Sequence, residues 1–544
     1  MRSRRGQHPI VGAASAAMSW VTASRLKPLL QWGLASLMVC GVAWADDLPD
    51  LFTEDCSRFA RLVGSPVAEL RLEGVQGFSW LKHFSAEPYL LKLAKDDSPE
   101  VRREVAFALQ RVGRRDSITV LFGMLSDADV GVRQHAALSL RSLTQLDAPT
   151  PEWWQGTSTE EYERKLLGDL KTADGGVRVR ALKALRCFAA SEAEEPLLEF
   201  VTSANPPADG TKQTLAIAVL ERVGTSASLP WLTSVADQQP AAAWALGQIG
   251  GPEAEEALIR GLRRFGVWDP QHLINLDRLH STRCGEFVPM LVGAYGCVTY
   301  RGQPENLTYD PTPLQRACTN LILRSGRGPE VVECVLREME CSVVDEQIPE
   351  DLRPAMVTLR EELRPGFVRN DGLTTSQPMC AMSHLVRDRR LAPRLVPLLQ
   401  HPAFIARVYA AMALGRLHAV EALPAVVDVI DEGYPFADPM ALVSGKHFGE
   451  SQTVRWRSFL CMALGRMGGD QARGELERLA CDPDEYRDIR YGAVVGLGFI
   501  GSPESLPVLQ QVAHNDIIWR LRVEAQDVVH RTELAQEDVR LRTR

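Results

Sequence analysis

The sequence predicts an all-α fold, an α-solenoid of stacked two-helix units of roughly 31–35 residues each, interrupted by three loop insertions. Three observations carry that prediction. A short motif recurs along the chain at nearly constant spacing. Within each copy the apolar residues repeat at helical intervals, and no strand-like alternation of any length occurs. The chain has 544 residues, too many for one compact core, yet 45% apolar and 24% charged residues is ordinary for folded protein.

The repeat emerges when Val101-Arg102-Arg103-Glu104-Val105-Ala106-Phe107-Ala108-Leu109 is set beside Val132-Arg133-Gln134-His135-Ala136-Ala137-Leu138-Ser139-Leu140. With the last Leu as pivot, equivalent positions are Phe78, Leu109, Leu140, Leu185, Leu220, Leu246, Leu414, Leu464, Leu497 and Val529. Seven residues before these pivots stand Arg71, Arg102, Arg133, Arg178, Gln213, Gln239, Arg407, Arg457, Arg490 and Arg522, eight arginines in ten places. Each unit reads as two helices. Val101, Val105, Ala108, Leu109 and Val112 line one face of the first, opened by Ser98-Pro99 and stopped at Gly113. Ile118 to Leu125 supplies the second. Neither helix can bury its apolar stripe alone, so neighbouring units must stack into a continuous core.

The signature Ala-Leu-Gly-x-[Ile/Leu/Met]-Gly stands at Ala245–Gly250 and Ala463–Gly468, and as Gly496-Leu497-Gly498-Phe499-Ile500-Gly501 near the end. It resembles the HEAT-like repeat of the type found in bilin lyases, over residues 66–264 and 381–532. The resemblance implies a helical solenoid. Such arrays serve as scaffolds, adaptors, inhibitors and occasionally enzymes, so on function it is nearly silent.

The amino end reads as an export signal. Arg2, Arg4, Arg5, Arg25 and Lys27 precede the apolar run Leu29–Val42, which ends in Ala43-Trp44-Ala45 ahead of Asp46. That run is shorter than the ~20 residues a spanning helix needs, so no stable membrane span is expected after cleavage. Removing residues 1–45 takes away five positive and no negative charges, turning the net charge of −8 into −13. Such an acidic chain is not expected to bind nucleic acid. The organisation read from the sequence is therefore a signal peptide over 1–45, a first repeat array over 46–264, an irregular cysteine-rich insertion with degenerate repeats over 265–380, and a second array with a capping helix over 381–544.

Three segments break the period: Pro149–Gly156, residues 265–313 and Gly433–Gln452. The first falls between the two helices of a unit, whereas the other two follow a second helix and leave the opposite edge. Loops on a rigid scaffold are where recognition residues concentrate. Trp268, Tyr295, Tyr300, Tyr309, Tyr434 and Phe436 are thus the candidate partner contacts on one edge, with Trp153 and Trp154 on the other. Exposed aromatic side chains of this kind anchor protein interfaces.

The chemistry-bearing patterns are sparse. The arginine column could form an anion-binding stripe, but arginine at a fixed repeat position more often ties one unit to the next. Gly496–Gly501 matches G-x-G-x-x-G, yet it closes a helix instead of opening one after a strand, as dinucleotide binding requires. Ser79-Trp80-Leu81-Lys82 matches S-x-x-K without the accompanying S-D-N and K-T-G. His280, Cys284 and Cys297, with His272 or Cys318, could ligate a metal, although the paired short spacings of zinc sites are missing. Cys334, Cys341 and Cys380 lie nearby, and Cys461 falls inside a repeat helix as a core residue. No catalytic constellation is recognised, and no cofactor is expected.

These readings converge on a non-enzymatic scaffold or adaptor, exported to the periplasm or beyond the cell, that binds another protein. The alternatives are a cofactor-handling activity like that of the bilin lyases and a metal-dependent enzyme housed in residues 265–313. The particle is expected to be elongated, with a radius of gyration above the ~23 Å of a compact chain of this size. Amino-terminal sequencing of the exported protein is expected to begin at Asp46, and a full-length cytoplasmic product would overturn the export reading.

Overall fold

The computed structural model describes residues 53–82, 84–156, 159–172, 174–203, 210–265, 270–288, 290–291, 313–341, 382–401, 404–432, 457–485 and 487–543, and every regular element among them is helical. The unit Pro99–Met124 shows how the sequence builds it. Ser98 holds an extended backbone and its hydroxyl accepts from the Val101 N–H at 3.3 Å, while Pro99 occupies the first turn where no donor is needed. Helix Pro99–Val112 buries Val101, Val105, Ala106, Ala108, Leu109 and Val112 along one stripe. Helix Arg115–Met124 returns and buries Ile118, Leu121, Phe122 and Met124 against it. Its start is capped from the preceding unit, where Glu87 accepts from the Arg114 N–H at 2.6 Å and the Ser117 hydroxyl at 2.5 Å. Glu194 does the same for Thr225 and Ser228, so a carboxylate of one unit caps the second helix of the next.

First helices stack on first helices. Ala68–Leu81, Pro99–Val112, Val130–Thr144, Gly175–Phe188, Gly210–Val223 and Ala242–Ile249 pack in succession, and the second helices pack against the first helices that follow them. The buried apolar residues form one continuous cluster from Phe59 to Val528. Near the end, helix 457–467 and helix Arg487–Ile500 approach backbone to backbone. A Cβ on Gly465 would lie 2.4 Å from the Gly496 carbonyl oxygen, and one on Gly492 would lie 2.5 Å from that of Ser458. Gly496, the first glycine of the G-x-G-x-x-G match, thus permits close helix packing, and the described segment before it is helical.

Residues 265–313 are not wholly an insertion, which corrects the sequence reading. Helix Pro270–Arg278 packs between Ala242–Ile249 and Pro313–Arg324 as a further first helix, with Leu273 and Leu276 fully buried. The unit was hidden because Asp269 stands seven residues before the pivot Leu276, where Arg is usual.

The array does not run out as an open rod, as the repeat alone suggested. The 24-residue final helix Trp519–Arg542 returns to the first unit. There the Ser65 hydroxyl donates to the Asp538 carboxylate, two buried groups 473 residues apart in sequence. His530 lies 2.7 Å from Glu69, and Arg542 holds Asp538 at 2.7 Å from one turn away. Curvature accumulated over successive units has brought the two ends into contact. Asp538→Ala is expected to lower stability by about 1–2 kcal/mol with helical content unchanged. Thermal unfolding followed by circular dichroism checks this, and an unaltered Tm would mean that the end-to-end contact does not stabilise the chain.

Candidate functional site

The arginines seven residues before the pivots clamp the loops between units. Arg71 grips Asp96 with two parallel hydrogen bonds of 2.6 and 2.8 Å and donates to the carbonyls of Ser65 and Pro66. Arg102 repeats this one unit later, holding Asp127 at 2.7 and 2.9 Å and donating to the carbonyls of Asp96 and Asp97. Each connecting Asp is therefore held by its side chain from one unit and by its carbonyl from the next. The same carboxylates organise the following helix start, because Asp96 accepts from the Ser98 N–H and Asp127 from the Asp129 N–H, both at 2.9 Å. Hydrogen bonds from Arg102 hold the Asp127 carboxyl below its usual range.

The remaining members vary this scheme. Arg133 donates to the carbonyls of Asp127 and Ala128, and Arg178 to that of Thr172. Arg407 bridges the His401 carbonyl and Glu432. Arg490 pairs with Asp516, whose carbonyl accepts from Arg522 at 2.7 Å. Arg457 pairs with Asp488 at 3.0 Å, both nearly buried, and burial lifts that carboxyl to about 6 despite the guanidinium beside it.

A second arginine column went unread in the sequence. Arg111, Arg222, Arg416, Arg466 and Arg531 stand two residues after their pivots, five places of ten, the first four at the carboxyl ends of first helices and Arg531 within the long final helix. Arg111 reaches the Ser79 carbonyl, Arg222 that of Arg186 and Arg416 the Ser383 hydroxyl, whereas Arg466 lies over the Phe499 ring at 4.0 Å. The signal was present as a second phase of the same period, masked by Trp80, Ser142, Cys187, Gln248 and Phe499 at the other copies.

At one place these ends converge. Arg114 and Arg222 both lie over the Phe84 ring, at 5.4 and 5.5 Å, although Phe84 and Arg222 are separated by four units of sequence. Arg222 also approaches the Gly113 carbonyl at 3.4 Å. The convergence leaves an open cleft of about 590 Å³ lined by Lys82, Arg111, Lys183, Arg186 and Arg222, with Ser142, Gln145 and Leu215 between them and no carboxylate in its wall. Burial, aided by the neighbouring Arg186, pushes the Arg222 guanidinium down to about 10. Arg222 also lines a second cleft, of about 510 Å³, beside the positive-φ turn Gly250-Gly251.

The other sequence candidates fall elsewhere. Trp153 and Trp154 are half-buried in and beside the short helix Pro151–Gly156 and cover their own seam, so the structure does not present them as free anchors. Trp153 meets Tyr162 edge-on at 5.2 Å, while Trp154 stacks on Phe122 and donates from its indole N–H to Thr119 at 3.1 Å. Two indoles left in water would cost more than this packing. Trp268, Tyr295, Tyr300, Tyr309, Tyr434 and Phe436 lie outside the described residues, as do Cys297 and Cys380. His272 is buried and its ring stacks on Phe265, Cys284 lies 3.7 Å from Ser281, and burial pushes the Cys318 thiol up to about 12. Among the described residues no group of three His, Cys, Asp or Glu is placed to hold a metal ion. Ser79 is buried within its helix while Lys82 points into the basic cleft, so the S-x-x-K match forms no nucleophile site. Cys461 is fully buried core.

Family models for HEAT repeats match residues 59–150 and 449–529, and that for the PBS lyase HEAT-like repeat matches residues 241–264. This is a HEAT-like repeat chain. The matched stretches of the HEAT-like array carry the Arg–Asp clamps at both ends. No curated protein matches it. Among solved structures it is similar to importin beta in a polyethylene glycol condition, at 13% identity over 88% of this chain and 77% of that one, with a TM-score of 0.30. Yeast importin-beta matches at 12% identity over 97% and 92%, also with a TM-score of 0.30. A chain solved in work on cadherin and beta-catenin matches at 14% over 87% and 100%, with a TM-score of 0.29. Among the described residues of the HEAT-like array, no helix is long and apolar enough to cross a membrane.

Arg102→Ala is expected to lower stability by about 2–3 kcal/mol, since it leaves Asp127 and two carbonyls without their donor. Arg407→Ala, whose acidic partner is half-exposed, is expected to cost about 1 kcal/mol. Chemical denaturation checks both values, and loss of partner binding at unchanged stability would show that the column is a contact surface.

Proposed function

We propose that this HEAT-like repeat protein is an exported scaffold or adaptor that binds another protein along its solenoid surface. The observation that carries the reading is an apolar patch on the last unit. Ile517 is 92% exposed and Trp519 68%, and Val523 follows Trp519 by one helical turn on the same face. Large apolar side chains left in water beside one another mark contact surfaces. The amino-terminal signal supports export, and the aromatic residues of 265–313 and 433–452 supply further anchors.

The test is capture of partners from an envelope fraction by the mature protein, followed by mass spectrometry. Trp519→Ala and a chain with residues 433–452 replaced by a short Gly-Ser bridge are each expected to weaken capture of the same partner, by about tenfold for the tryptophan. Undiminished capture by both folded variants would overturn the assignment of the contact surface.

A further inference from the structure

Three places in the molecule carry polar groups that the repeat architecture does not use: the half-buried Glu524–Tyr491 pair, the cleft beside Gly250-Gly251, and the basic cleft where the first helices converge. The basic cleft stands out because no carboxylate pairs with its cations. In the clamps between units, by contrast, Arg71 meets Asp96 and Arg102 meets Asp127. Lys82, Lys183 and Arg186 form no side-chain hydrogen bond or ion pair among the described residues, and all three line the cleft. Arg111 and Arg222 bond only carbonyl groups there. Helix carboxyl ends welcome some positive charge, but a turn or two of carbonyls offsets only part of five cations. Glu221 interacts electrostatically with Arg222 and Arg186, and Glu104 with Arg111, in no case as an ion pair, and burial raises both carboxyls.

We infer that this cleft binds an acidic peptide segment of a partner protein, with the flexible Lys82 and Lys183 and the fork of Arg186 taking successive Asp or Glu carboxylates. The site goes beyond the scaffold reading by giving it a second, chemically defined contact, remote from Trp519 in sequence and independent of it. Several features favour a peptide. The cleft is open along one side and draws on five consecutive units, which suits an extended chain. Ser142 and Gln145 offer hydrogen bonds to a peptide backbone, and the half-buried Leu215 offers an apolar contact. The chain as a whole is acidic, with a net charge of −8, whereas five cations line this cleft with no carboxylate in its wall, a contrast that favours an acidic segment there.

Fluorescence anisotropy of the mature full chain with labelled octa-glutamate, and with octa-glutamine as control, tests the proposal. Octa-glutamate is expected to bind and octa-glutamine not, with affinity falling at least about tenfold as salt rises from ~50 to ~300 mM. Lys82→Ala with Lys183→Ala, which removes no hydrogen bond, is expected to weaken binding by about tenfold or more, and the paired Lys→Arg changes to restore it. Equal binding of the two peptides, or an unaffected alanine variant, would overturn the proposal. So would an oligonucleotide of equal charge binding more tightly than octa-glutamate. Failure here leaves Trp519-dependent capture of the partner intact, so the two readings fall separately.

Discussion

The whole assembly depends on how one unit is fixed to the next, and that joint is an arginine closing on an aspartate across a turn. A pair of helices can slide or rotate against its neighbour at little hydrophobic cost, because apolar stripes are non-directional. The fork of Arg102 on Asp127 is directional. It fixes the turn leaving its own unit, while Arg133 takes the carbonyl of the same aspartate from the unit beyond. Twist per unit is thereby set by hydrogen-bond geometry, and the apolar core fills in around it. Where the clamp is weakened, as at Gln213 and Gln239, a 3.2 Å amide contact replaces the ion pair.

The buried version of the joint carries a penalty. Arg457 and Asp488 are both almost wholly removed from water, and desolvation lifts the aspartate carboxyl to about 6 even with its partner present. Removing water from two charges recovers little net energy. Its contribution is to define register between helix 457–467 and the next first helix, which also pack through Gly465, Gly492 and Gly496 with no room for adjustment. Specific orientation and close packing thus coincide at the same pair of helices.

The solenoid was legible in the sequence because its determinants are local and periodic. Leu109 and Leu140 mark the core, Arg102 and Arg133 the joint, and Ser98-Pro99 a helix start, all within one unit. Pro270–Arg278 escaped notice because Asp269 stands where the arginine column places Arg in eight of ten copies. Nor could a periodic reading find Ser65 against Asp538 or Phe84 beneath Arg222, since these contacts arise from curvature summed over many units. The cations of the basic cleft illustrate the divide. Arg111 and Arg222 belong to a visible column, but only the convergence of helix ends brings Lys82 and Lys183 beside them.

The contact between Trp519–Arg542 and the first unit changes how such an array comes apart. Open repeat proteins fray from their termini, since an end unit has a neighbour on one side only and each loss exposes another. Here the terminal units have each other. Fraying then requires breaking the Ser65–Asp538 seam first, and local opening instead starts at the weakest internal joint. By this logic amide exchange would be slowest in the units that meet at the Ser65–Asp538 seam and fastest around the amide-paired units at Gln213 and Gln239, the reverse of the profile of an open stack.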